Sequence, residues 1–69
     1  MFKYSILLSY SEEDGGYIST IAEFPDLSAF GESPEDAARE ARIAAEGMIK
    51  VLKEDGDPVP EPRPIRMVA

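Results

Sequence analysis

Residues 31–56 read GESPEDAAREARIAAEGMIKVLKEDG, and this stretch decides the fold. Ser33 stands where a helix N-cap is needed, Pro34 takes the first helical position, and Asp36 falls at the capping-box position more often held by Glu or Gln. Glu35 and Asp36 put negative charge against the positive end of the helix dipole. Apolar side chains recur at Ala37, Ala38, Ala41, Ala44, Ala45, Met48, Ile49 and Leu52, a single face at helical spacing. Glu35 with Arg39 and Glu46 with Lys50 are i,i+4 pairs in the favourable order. Lys50 and Lys53 approach the C-terminal end, and Gly56 is the natural residue to close it. The spacing predicts one helix over 34–55. Its first three turns carry five alanines, which allow close approach to a sheet but bury little area, so the larger core side chains have to come from elsewhere.

They come from upstream. Residues 2–10 alternate, with Phe2, Tyr4, Ile6, Leu8 and Tyr10 on one face and Lys3, Ser5, Leu7 and Ser9 on the other, as in a half-buried strand. Ser11 to Gly16 is polar and ends in Asp14-Gly15-Gly16, which supplies the positive φ of a tight hairpin. Tyr17 to Phe24 is rich in strand formers and predicts a second strand. Pro25-Asp26 reads as its end, leaving Leu27-Ser28-Ala29-Phe30 for a brief third strand. Downstream of Gly56, Pro58, Pro60, Pro62 and Pro64 alternate and impose an extended path. That path is expected to carry the chain back along the sheet, so that Ile65-Arg66-Met67-Val68 adds a short edge strand. The expected fold class is therefore α+β in the order β-β-β-α-β. A three-stranded antiparallel sheet and a short C-terminal strand carry one long helix on one face, in a single domain over 1–69.

Sixty-nine residues bury a small core: a chain of this size hides only about 60% of the surface its unfolded form exposes. Disulfides, metals or oligomerisation usually make up the shortfall. Cysteine and histidine are both absent, which removes disulfides, Cys/His zinc sites, thiol nucleophiles and histidine bases together. Self-association is the remedy left. No apolar run approaches the length of a membrane span, the start Met1-Phe2-Lys3-Tyr4 is unlike a signal peptide, and the expected location is cytoplasmic. Fourteen acidic residues against seven basic give a net charge of −7, which repels phosphate backbones and argues against nucleic acid as a direct partner. The same charge suits encounter with a basic protein.

Candidate sites are few. Glu12, Glu13 and Asp14 cluster in the hairpin, but without the spaced oxygen ligands of a calcium loop, and they read as a solvated turn. Glu23, Asp26, Glu35 and Asp36 would have to converge to form a two-metal nuclease centre, and Asp26 and Asp36 already have turn and capping roles. Tyr4, Tyr10, Tyr17, Phe24 and Phe30 could stack bases, yet only Lys3 lies near to hold a backbone. Gly-rich phosphate loops, nucleophile elbows and metal-ligand helix motifs are missing. No cofactor, metal or catalytic residue is expected.

The hairpin Glu12-Glu13-Asp14-Gly15-Gly16-Tyr17, the segment Phe24-Pro25-Asp26-Leu27, the helix opening Gly31-Glu32-Ser33-Pro34-Glu35-Asp36-Ala37, and the ending Gly56 with Pro58-Val59-Pro60-Glu61-Pro62 follow one another at set spacing. In that order, over nearly the whole chain, the sequence resembles the N-terminal domain of HicB-family antitoxins. The resemblance implies a truncated ribonuclease-H-like fold and a protein that neutralises a small basic HicA-type ribonuclease toxin by binding it. Two departures stand out. Only Ser28, Ala29 and Phe30 separate Leu27 from Gly31, where the family has a longer stretch, and no DNA-binding domain follows before Ala69.

The expectation is thus a non-enzymatic, antitoxin-like module. Its partners would be a HicA-like toxin and further copies of itself, as a dimer or tetramer. The residues expected to meet the toxin are Glu12, Glu13, Asp14, Tyr17 and Glu40. The alternatives are a self-assembling structural or regulatory domain and a residual metal-dependent nuclease.

Overall fold

The computed structural model describes residues 2–63. Three strands, β1 (Ile6–Ser11), β2 (Gly16–Ile21) and β3 (Phe24–Gly31), precede one helix, α1 (Pro34–Asp55). The strands form one antiparallel sheet in the order β1-β2-β3, and α1 covers one of its faces. The domain is α+β, as its sequence pattern predicts. The expected fourth strand at 65–68 lies outside the described residues, and with it the piece that would complete a truncated ribonuclease-H arrangement.

The helix occupies the bounds its caps predict. The Ser33 hydroxyl accepts the Asp36 N–H at 3.1 Å, and Pro34 opens the first turn. At the other end Gly56 adopts the left-handed conformation (φ 74°), its N–H donating to Lys53 O and the Asp57 N–H to Leu52 O. That pair of bonds closes a Schellman motif and satisfies carbonyls that would otherwise be orphaned. Arg39 turns to Asp36 at 2.9 Å rather than to Glu35.

The core lies between sheet and helix. Ile21, Phe24 and Leu27 are buried from the strands, and Ala37, Ala41 and Ala45 from the helix. Ser19 is also fully buried, and its hydroxyl donates to the Ala37 carbonyl at 2.8 Å, so the one small polar group in the layer is satisfied. Helix and sheet come closest at Gly31. A Cβ there would stand 2.2 Å from the Ala37 nitrogen and 2.6 Å from the Asp36 carbonyl carbon, so only a bare backbone fits.

Two differences from the sequence-based expectation have clear causes. The first strand does not pair until Ile6, because its partner β2 ends at Ile21, directly opposite Ile6. Phe2 and Tyr4 keep the inward alternation and pack on the core, with Phe2 edge to face on Tyr4 and Tyr4 edge to face on Phe24. Pro25-Asp26 does not end β2. The chain reverses two residues after the middle of that stretch, at Ala22-Glu23, and Pro25 lies inside β3. On an edge strand a missing N–H costs nothing. The register slips between Thr20 and Ile21, which pair with Ser28 and Phe24, and this irregularity has a purpose. Phe24 and Leu27 are an odd number of residues apart and would point to opposite faces of a regular strand. The bulge turns both toward the helix.

The proline-rich segment runs without regular structure and is clasped at two points. The Tyr4 hydroxyl donates to the Pro60 carbonyl at 2.6 Å, and the Arg63 N–H donates to the buried Glu23 carboxylate. These bonds hold it across the end of the domain, beside Phe2, Tyr4 and Ile49.

Gly31→Ala is expected to cost about 3 kcal/mol in urea unfolding, because the added methyl meets backbone and no side chain can yield. Gly47→Ala, with open space at its Cβ inside α1, should instead stabilise by about 1 kcal/mol. Equal small effects at the two positions would show that the close approach at Gly31 is not what sets the helix on the sheet.

Candidate functional site: an acidic end with a tyrosine pair

Strand direction decides which charges meet. β1 runs toward the first hairpin, β2 away from it and β3 back again, so Ser11 pairs with Gly16 and Tyr17 with Gly31. The hairpin tip and the β3–α1 connection therefore share one end of the sheet. Glu12, Glu13 and Asp14 come to that end from the hairpin, Glu32 from the connection, and Glu35, Asp36 and Glu40 from the first two turns of α1. Across residues 12–16 and 32–40 there are seven acidic side chains and one basic one, Arg39. This end holds six of the chain's seven units of net negative charge, and Asp36 already occupies the Arg39 guanidinium.

The hairpin tip is ordered from within. The Ser11 hydroxyl donates to the Asp14 carboxylate at 2.9 Å and accepts the Asp14 N–H at 3.3 Å, while the Gly15 N–H reaches the Ser11 carbonyl at 2.9 Å. Gly15 takes the positive φ of the turn. Asp14 is thus held by its own turn, and Glu12 and Glu13 project into solvent. Beside them, Tyr10 and Tyr17 stack edge to face with centroids 5.3 Å apart. Both lie on the helix side of the sheet, yet Tyr10 is 60% exposed. The helix leans over β3 and β2 and reaches β1 least, which leaves the β1 margin of that face open.

Of the residues expected to meet a partner, Glu12, Glu13, Asp14 and Glu40 are exposed and Tyr17 is half-buried, and all five belong to this one end. Tyr10, Glu32 and Glu35 belong to it as well. Tyr10 reads as core-facing from alternation alone, and Glu35 reads as a helix-dipole charge until the topology sets it and Glu32 beside the hairpin. The four carboxylates that a nuclease would need do not converge. Asp26 lies near the start of β3 and Asp36 beyond its end, five strand residues or about 16 Å apart. Among the described residues no group of three acidic side chains is placed to hold a metal ion, and no helix is long and apolar enough to cross a membrane.

Fold and site together define a small two-layer α+β domain that presents an acidic, tyrosine-edged end and no catalytic constellation among its described residues. A family model described as the HicB_like antitoxin of bacterial toxin-antitoxin systems matches residues 3–67. The chain belongs to that family. No curated protein matches it significantly.

Because Tyr10 is mostly exposed and Tyr17 is not, Tyr10→Ala should cost no more than about 1 kcal/mol of stability, the scale of one aromatic pair. Tyr17→Ala should cost more, since it also removes packing against the sheet. Chemical denaturation of the two variants tests the order, and a larger loss at Tyr10 would place that ring in the core.

Proposed function

We propose that this protein is an antitoxin-like binding module that captures a small basic toxin of the HicA type at its acidic end. The observation that carries the reading is the gathering of seven carboxylates around a tyrosine pair whose outer ring, Tyr10, is exposed, in a chain belonging to an antitoxin family. The chemistry divides between the two kinds of residue. Glu12, Glu13, Asp14, Glu32, Glu35 and Glu40 raise the rate at which a basic protein arrives. Tyr10 and Tyr17 offer apolar area with few rotamers to freeze, which favours slow departure. Binding alone accounts for the role: no group of the acidic end is arranged as nucleophile or base toward a common point. The setting is cytoplasmic, where such a toxin would act.

A second property, self-association, is favoured by a separate observation: among the described residues nothing covers the sheet face away from the helix, and Leu7, Ser9, Ile18, Thr20, Ser28 and Phe30 on it are uncharged.

Co-expression with the small basic protein encoded next to the gene tests the main reading. The two should co-purify, and toxicity of the neighbour should be relieved. Replacing Glu12, Glu13 and Asp14 by their amides should slow association about tenfold at low salt and leave dissociation nearly unchanged. Tyr10→Ala should do the reverse, with dissociation about tenfold faster. A neighbour that is neither basic nor bound would sink the reading.

A further inference from the structure

We propose that the flank of α1 that begins at the acidic end seats a basic amphipathic helix of the partner, which crosses α1 at Gly47. The inference rests on the toxin-capture reading above and extends that contact from the acidic end along the helix. Gly47 lies well inside the 22-residue helix, where glycine is the poorest choice after proline. Nothing in the chain's own structure calls for it. Among the described residues positive φ is confined to Gly15 and Gly56, and a Cβ at Gly47 would meet nothing within 4 Å. Gly31 is the contrast, since its bare backbone is needed for the packing of helix on sheet. A glycine that serves neither backbone conformation nor internal packing leaves contact from outside as its use.

The surroundings of Gly47 fit that use. Ile43 and Val51, one turn before it and one turn after, are 54% and 52% exposed. The three positions share one stripe of the helix, so the missing side chain leaves a notch between two large apolar ones. Helix axes pack about 8–10 Å apart according to the side chains at the crossing, and a bare crossing point permits the near end of that range. Glu40 and Glu54 continue the same stripe at its two ends, and both are exposed. Glu40 already belongs to the acidic end, which makes the notch continuous with it.

Charge selects the occupant. The ionised groups within the stripe are acidic, and the nearest cations, Arg39 and Lys50, stand along one border, with Arg39 paired to Asp36 at 2.9 Å. A second copy would bring carboxylates of another molecule of net charge −7 against Glu40 and Glu54, and a nucleic acid would bring phosphates to them. A helix with an apolar strip flanked by lysines or arginines meets neither penalty. Its apolar strip fills the notch and rests on Ile43 and Val51, as amphipathic helices do in the grooves that receive them. Its cations reach Glu40 and Glu54, which lie about 21 Å apart along the axis, the length of roughly four helical turns. A small residue on the incoming helix is expected where it meets Gly47.

The test uses the full chain and the small basic protein encoded next to the gene, with association and dissociation followed separately. Gly47→Leu puts a good helix former where it touches nothing of its own fold, and should speed dissociation about tenfold with no fall in melting temperature. Gly47→Ala, a milder filling of the notch, should speed dissociation about threefold while raising the melting temperature. Arg42→Leu, the same bulk on the other flank of α1, should leave dissociation unchanged. Gly47 variants that dissociate like the parent, while amides at Glu12, Glu13 and Asp14 still slow association, would overturn this surface and spare the toxin-capture reading. Acceleration by Arg42→Leu as large as that by Gly47→Leu would overturn it too. Absence of binding by the unsubstituted chain would sink the reading and this inference together.

Discussion

The helix backbone meets the sheet at Gly31 with no room for a single methyl group, and most of the structure follows from that approach. Contact this close requires small residues on the helix, and Ala37, Ala41 and Ala45 supply them on successive turns. It also brings the Ala37 carbonyl within reach of the Ser19 hydroxyl, which fixes the position of α1 along β2 by a directional bond as well as by packing. An alanine layer buries little area, so Ile21, Phe24 and Leu27 must fill the remainder from the strands. Burying Phe24 and Leu27 together in turn requires the bulge at Pro25-Asp26.

The same approach explains what the fold leaves uncovered. A helix drawn down onto β3 and β2 cannot also shield β1, so Leu8 and Tyr10 are exposed on the face that nominally belongs to the core. Nothing among the described residues covers the opposite face of the sheet. A domain of this size has one layer of core to build, and it spends that layer on one side. The uncovered surfaces differ in kind: one is aromatic and ringed with carboxylates, the other apolar and neutral.

How much of this could be read from the chain depends on how local the determining chemistry is. The helix bounds were legible because Ser33, Pro34 and Gly56 act within one turn of themselves. The first hairpin was legible because Asp14-Gly15-Gly16 supplies its own backbone geometry. The second reversal was not: Ala22-Glu23 carries no turn chemistry, and the proline beside it drew the boundary to the wrong place. Whether a proline ends a strand depends on its being at a sheet edge, a property of the assembled sheet. Phe2 and Tyr4 read as paired strand because their alternation is real, but pairing also needs a neighbour long enough to reach them.

The acidic end shows the same limit at the level of function. Each of its charges was visible singly, and the hairpin cluster and Glu40, expected to meet a partner, are exposed at this end. Glu35 and Asp36 already had a sufficient local explanation in the helix dipole, and local explanations hide shared ones. Only the up-down-up course of three strands sets residues 12–14 beside residues 32–40, and so turns a modest excess of acid spread along the chain into one strongly charged extremity. Because both strand reversals and the helix cap are needed to build that extremity, its electrostatic character is a property of the folded state. An unfolded chain of the same composition would attract a basic partner weakly and from every side. The folded one gathers that charge at one end, beside the Tyr10–Tyr17 pair.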